Sequence, residues 1–99
     1  MVPDRYHSKA HETPVVSGNS IDRIEHDVLR QLIAEWRAKA GLSQRELSAK
    51  LQHPHNYIVK IETGVRAVMV VDLVDIMRAL GKDVGSGFAE YGARIGGSH

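Results

Sequence analysis

The stretch from residue 41 to residue 66 constrains the fold of this chain most strongly, because it carries two helix starts separated by a break. Ser43 is a favourable N-cap residue, and Glu46 three positions later completes an S-x-x-E capping box. Leu47 and Leu51 then lie four residues apart, on one face of the helix that this box begins. The pattern therefore predicts a short helix that starts just after Ser43.

A second helix is predicted after the break at Pro54. The residue before a proline disfavours the α conformation, whereas proline itself suits the first helical position, where its missing N–H is not needed. We therefore predict a helix from Pro54 to Thr63, ended by Gly64 as the C′ residue. Its apolar face consists of Tyr57, Ile58 and Ile61, and the opposite face of His55, Asn56, Val59, Lys60 and Thr63.

This opposite face has two interpretations. A solvated helix face in a small domain is usually rich in Glu and Lys, whereas this one carries short or planar polar groups and one lysine. Such groups can meet base edges and phosphates in a major groove, which is wide enough to admit a helix. From the residues alone, a plain solvent-exposed face remains the alternative.

The chain from about residue 29 to residue 80 resembles the helix-turn-helix domain of the lambda repressor and Cro type, the XRE family. The motifs that carry the resemblance are WRAKAGLSQ, RELSAKL, NYIVKIETG and a closing ALG. The resemblance implies an all-α, compact four- to five-helix lambda-repressor-like domain, with the helix-turn-helix at about residues 43–63. It also implies a sequence-specific DNA-binding transcriptional regulator, a repressor that acts as a homodimer on a palindromic operator.

The resemblance further implies roles for single side chains. Base contacts are expected from His55, Asn56, Val59 and Lys60, and phosphate contacts from Gln44, Thr63 and Arg66. In the family, an arginine at the position of Arg37 pairs with a glutamate at the position of Glu62, so we expect a structural ion pair here. Two positions depart from the family pattern. Gln52 stands where the family has a glycine in left-handed backbone, at a cost of about 1–2 kcal/mol, and Ser48 stands where it has alanine.

The remaining helices are predicted from apolar periodicity. The first is predicted to begin at Asp22 and to end at Gly41, and the fourth to span residues 70–80. The residues predicted to face inward are Ile24, Val28, Leu32, Ile33, Trp36 and Ala40 in the first helix, and Val70, Leu73, Val74, Met77 and Leu80 in the fourth.

The chain is predicted to divide into three parts. Residues 1–20 show no helical period and contain two prolines, which predicts a flexible arm. Residues 21–81 form the helix-turn-helix domain, and residues 82–99 form a glycine-rich tail. In the tail, Ser86 is predicted to cap a short fifth helix with Phe88, Tyr91 and Ile95 on one side. This stripe either covers the core or joins two copies, and the family's use of its C-terminal helix favours a homodimer.

Composition limits the chemistry. The chain has 99 residues, enough for one domain, and no cysteine, so disulfides, thiolate zinc sites and thiol nucleophiles are excluded. No apolar run approaches the length of a membrane span, and we expect a cytoplasmic protein without a membrane partner. The net charge is only +1, but between residues 43 and 66 the cations outnumber the carboxylates. They are Arg45, Lys50, Lys60 and Arg66, against Glu46 and Glu62.

The sequence predicts neither an enzyme nor a cofactor. Asp72 and Asp75 lack a third ligand, as do His53 and His55, so no metal site is predicted. There is no glycine-rich phosphate loop and no recognisable spacing of nucleophile and base. The alternative to a simple regulator is an antitoxin-type module, since small chains of this family also bind a toxin and repress their own operon.

Overall fold

The computed structural model describes residues 23–96, and every regular element within them is an α-helix. The expected all-α fold is therefore confirmed. Residues 1–22 and 97–99 lie outside the described residues, and with them the predicted arm and the predicted helix start at Asp22. The helices are α1 (Ile24–Lys39), α2 (Gln44–Lys50), α3 (Tyr57–Glu62), α4 (Val70–Ala79) and α5 (Val84–Gly96).

One core joins these helices. Its buried apolar residues are Leu29, Leu32, Ile33, Trp36, Leu47, Tyr57, Ile58, Ile61, Leu73, Ile76 and Met77. The predicted stripes missed Leu29 and Ile76. They wrongly included Ile24 and Val70, each 68% exposed, and Ala40, which is also exposed. Ile24 and Val70 are the first residues of α1 and α4. Periodicity identifies a helix face, but it does not reveal where the end of a helix extends past its neighbours.

The first helix of the pair begins as its capping box predicts. Ser43 Oγ accepts a hydrogen bond from the N–H of Glu46 at 3.0 Å, and Glu46 Oε1 accepts one from the N–H of Ser43 at 2.7 Å. The connection that follows α2 passes through Gln52, whose φ of 61° is left-handed. The conformation expected at this departure from glycine is confirmed.

The second helix of the pair starts later than predicted. It begins at Tyr57, with Asn56 as its N-cap, and not at Pro54. The carbonyl of Pro54 accepts a hydrogen bond from the N–H of Tyr57 at 3.0 Å. This i to i+3 bond closes a turn through His55 and Asn56. Pro54 is therefore the first residue of the turn that precedes α3, and not the first residue of the helix.

The stretch predicted as a tail contributes a 13-residue helix to the core. Asp83, and not Ser86, caps α5, since Asp83 Oδ2 accepts from the Ser86 N–H at 2.9 Å. Tyr91 packs against the core, and its hydroxyl donates to the Glu25 carbonyl at 3.0 Å. A buried glycine, Gly87, allows α5 to approach α4 closely. Of the helices within residues 23–96, none has the length and apolar character needed to cross a membrane.

Candidate nucleic-acid interface

Helix α3 separates a buried face from an exposed one. Tyr57, Ile58 and Ile61 are 5%, 0% and 0% exposed. The four residues expected to contact bases lie on the other side: His55, Asn56 and Lys60 are exposed, and Val59 is half-buried. His55 and Asn56 belong to the turn before the helix, whereas Val59 and Lys60 belong to the helix itself, with Lys60 in its last turn. The polar groups are thus presented to solvent along α3 and the turn before it.

Ser48 connects the two helices of the pair. It is fully buried, and its hydroxyl donates to the carbonyl of Gln44 at 2.9 Å. The same oxygen accepts a hydrogen bond from the N–H of Ile58 at 3.0 Å. The sequence marked Ser48 only as a departure from alanine, because nothing local indicates a bond to a residue ten positions away.

A polar network joins α1, the start of α2 and the end of α3. Arg37 Nε and Nη2 donate to the two carboxylate oxygens of Glu62 at 2.7 and 3.0 Å, and Nη1 donates to the Leu42 carbonyl at 2.9 Å. Hydrogen bonding to Glu62 raises the pKa of Arg37 above its ordinary value. Gln44 Nε2 also donates to Glu62, at 2.8 Å. Gln44, which was expected to bind a phosphate, therefore also hydrogen-bonds to the Glu62 carboxylate at the end of α3.

The other two residues expected at phosphates are exposed but already engaged. The Thr63 hydroxyl donates to the Val59 carbonyl at 2.7 Å. The Arg66 guanidinium lies 5.0 Å from the centre of the Tyr57 ring and 3.9 Å from Asp72 Oδ2. Burial, followed by the charge of Asp72, raises the pKa of Tyr57. A phosphate contact would require the Thr63 hydroxyl to turn, whereas Arg66 carries further N–H donors.

Two further cations belong to this surface, and the sequence counted them in the cation surplus without assigning either to a DNA contact. Arg45 and Lys50 are exposed on α2, as Lys60 is on α3. Among residues 23–96, none of the three has an acidic group within 4.0 Å. The surplus of cations between residues 43 and 66 was the signal for them. Their positive charge is not neutralised within the described part of the chain.

The two pairs considered as metal ligands were Asp72 with Asp75 and His53 with His55, and two of these side chains make other contacts. Asp72 accepts from the Met69 N–H at 3.2 Å at the start of α4, and Asp75 is exposed. His53 stacks on Tyr57 with ring centres 3.8 Å apart. Within residues 23–96, no group of three His, Asp or Glu side chains could hold a metal ion.

A family model described as helix-turn-helix matches residues 33–85, which include α2, α3 and α4 whole. The wild-type restriction-modification controller protein C.Esp1396I has a similar structure, with a TM-score of 0.69 and 23% identity, over 75% of this chain and 97% of that one. No curated protein sequence matches significantly.

Two other solved structures share the fold. An XRE-family like protein from Pseudomonas syringae pv. tomato str. DC3000 has a TM-score of 0.67 and 29% identity, over 76% of this chain and 94% of that one. The clp gene regulator ClgR from Corynebacterium glutamicum has a TM-score of 0.64 and 23% identity, over 76% and 80% of the two chains.

Proposed function

The chain belongs to the helix-turn-helix family of the lambda repressor and Cro type, and from this premise we propose that it acts as a homodimeric repressor on a palindromic operator. The family match and the regulators that share the fold make it a DNA-binding transcriptional regulator. The antitoxin-type alternative gains no support from them. A repressor of this kind would act in the cytoplasm, where a bacterial operator is accessible.

The observation that carries the proposal is the division of α3 into two faces. Its apolar face is fully covered by the core, so the position of the helix is determined by packing. Its other face presents an amide, an imidazole and an ammonium group to solvent. An α-helix with its side chains is about 10–12 Å in diameter, so α3 can enter a major groove about 12 Å wide.

Each exposed group has a chemical counterpart on a base edge. The carboxamide of Asn56 matches the N6 and N7 atoms of adenine, and the ammonium of Lys60 matches O6 and N7 of guanine. Val59 would touch a thymine methyl group, and His55 would contact a further base edge. We assign base reading to these four residues.

Phosphate contacts complete the proposed interface. Gln44 and Thr63 line one open cleft, whose charged lining is Arg30 together with the carboxylates of Asp27 and Glu62. Because these carboxylates offset the cation, we assign the phosphate contact here to the uncharged donors of Gln44 and Thr63. Arg66 would bind a phosphate beyond the end of α3, and the unneutralised charges of Arg45 and Lys50 would strengthen binding along α2. Such contacts position the protein on the duplex and make binding depend on salt.

A homodimer follows from the palindromic operator, because two recognition helices must lie about 34 Å apart, one turn of DNA. We propose the α5 stripe of Phe88, Tyr91 and Ile95 as its interface. The stripe is only half-buried in its own subunit, although Phe88 and Tyr91 also pack against the core. Sedimentation equilibrium should give a dimer for the parent and a monomer for Ile95→Asp. A dimer that persists in Ile95→Asp but is lost in Val71→Asp would move the interface to the exposed start of α4.

The test of DNA recognition is selection from a random duplex library, followed by gel-shift titration. The parent should enrich a palindrome. Lys60→Ala should weaken binding to it by about 10- to 100-fold, since one good base contact contributes about 1–3 kcal/mol. Lys39→Ala is the matched control, because Lys39 is an exposed lysine beside Trp36 and Lys82 and outside α2 and α3. Equal affinities of Lys60→Ala and Lys39→Ala would contradict the proposed groove contact.

A further inference from the structure

The N-terminus of α3 is capped by a residue of another helix. Asn56 occupies the N-cap position, yet its side chain makes no capping hydrogen bond. Its backbone, with φ −98° and ψ 9°, also lies outside the extended region that N-cap residues usually adopt. The N–H of Ile58, the second residue of α3, donates instead to Ser48 Oγ at 3.0 Å. An N-cap side chain ordinarily satisfies such a group.

Ser48 is oriented for this role by α2. Its hydroxyl hydrogen is directed to the Gln44 carbonyl one turn earlier at 2.9 Å, which leaves the oxygen lone pairs to face Ile58. Ser48 and Ile58 are both 0% exposed, so water does not replace the acceptor. An alanine would fit the space but would remove this acceptor from the Ile58 N–H.

We propose that Ser48 leaves the Asn56 carboxamide available for DNA. Asparagine is among the residues that cap helices best, so without another acceptor its side chain would be drawn to the Ile58 N–H. With Ser48 as acceptor, both the oxygen and the NH₂ group of Asn56 remain available. A bidentate contact with adenine needs both. Ser48 is thus a positioning residue that controls specificity without touching a base, an inference that rests on the proposed function.

The first experiment is a double-mutant cycle measured by denaturant unfolding without DNA. In the parent, Asn56→Ala should change the unfolding equilibrium constant little, because the side chain caps nothing. In a Ser48→Ala background, Asn56 becomes the available cap, and Asn56→Ala should then raise that constant by about fivefold more than it does in the parent. Equal effects in the two backgrounds would overturn the capping exchange.

The second experiment compares affinities for the selected operator and for the same operator with one adenine–thymine pair replaced. The pair chosen is the one at which Asn56→Ala no longer prefers any base. Ser48→Ala should reduce this discrimination by about tenfold. Ala49→Gly is the matched control, since it weakens α2 at an exposed neighbouring residue and leaves the Ile58 acceptor in place. It should lower stability without changing the discrimination ratio. A Ser48→Ala protein that discriminates as the parent does would overturn the proposal.

The two experiments separate this inference from the proposed function. A parent that enriches no DNA sequence refutes base reading, while the unfolding cycle still decides which residue caps α3. If Ser48→Ala does not fold, Ser48→Cys takes its place in both experiments. Cysteine has a side chain of similar size to serine but is a weaker hydrogen-bond acceptor, so the same directions of change are expected.

Discussion

Arg37 on α1 and Glu62 at the end of α3 form a two-point ion pair across 25 residues of sequence, with N–O distances of 2.7 and 3.0 Å. Their side chains are 18% and 8% exposed, so the carboxylate is almost completely removed from water. Gln44 donates to the same carboxylate at 2.8 Å. One acidic group therefore connects three helices, and the orientation of α3 depends on it.

Removal of the cation from this pair should be costly. We expect Arg37→Met to lower the free energy of unfolding by about 3 kcal/mol, because a nearly buried carboxylate loses the cation that pairs with it. The double variant Arg37→Met/Glu62→Gln should be more stable than Arg37→Met alone, since no charge is then left uncompensated. Urea unfolding at neutral pH measures both variants. A double variant that is less stable than Arg37→Met would contradict the account.

His26 should make stability depend on pH. Its Nε2 accepts from the Val68 N–H at 3.4 Å, and Arg30 Nη1 lies 3.3 Å from its Nδ1. Burial lowers the pKa of His26 below 6.5, the Arg30 charge lowers it further, and Asp27 opposes this. The folded chain therefore binds fewer protons than the unfolded chain just below pH 6.5. Its stability should fall as the pH decreases from there through the folded-state pKa.

The variant His26→Gln isolates this effect, since its side chain does not titrate. Thermal unfolding at steps between pH 7.5 and pH 5 should show a steeper loss of stability in the parent than in His26→Gln. All other titrating groups are shared, so the difference between the two curves reports His26. Parallel curves would show that protonation of His26 costs the fold nothing.

Two glycines of α5 should respond to alanine in opposite directions. A Cβ at Gly87 would clash with Met77 Sδ and lie 3.5 Å from the Trp36 ring, so Gly87→Ala should destabilise the fold by about 1–3 kcal/mol. A Cβ at Gly92 meets nothing within 4 Å, so Gly92→Ala should stabilise it by up to about 1 kcal/mol. Denaturant midpoints measure both. A gain in stability from Gly87→Ala would refute the close approach of α5 to α4.

The left-handed backbone at Gln52 should favour glycine. Gln52→Gly removes about 1–2 kcal/mol of steric cost at φ 61°, while glycine adds about 0.4–1 kcal/mol of unfolded-state entropy. We therefore expect the free energy of unfolding to rise by up to about 1.5 kcal/mol, measured by thermal unfolding. Ala49→Gly, in ordinary helix, should instead lose about 1 kcal/mol. The expectation fails if both glycine variants lose stability equally.

Local features of the sequence were predictable where the cause lies within a few residues. The Ser43–Glu46 box starts α2 as expected, because both partners lie within one helical turn. The start of α3 was misplaced at Pro54, because proline is equally compatible with the turn that precedes a helix. The apolar face of α3 was predicted correctly from its spacing, and the exposure of His55, Asn56 and Lys60 agrees with the opposite face. Whether these three residues contact bases stays a prediction.

The sequence by itself determined the all-α class and the position of the helix-turn-helix, since capping motifs, turn residues and apolar periodicity act over short distances. The family came from the motifs that the sequence shares with the lambda repressor and Cro type. Only the tertiary structure decided that Ser48 caps α3 and that α5 completes the core through Tyr91. These are contacts between residues distant in sequence. The physical reason is that a buried polar group must hydrogen-bond to whichever partner the packing of the helices brings close. The spacing of residues within one helix does not predict such contacts between helices.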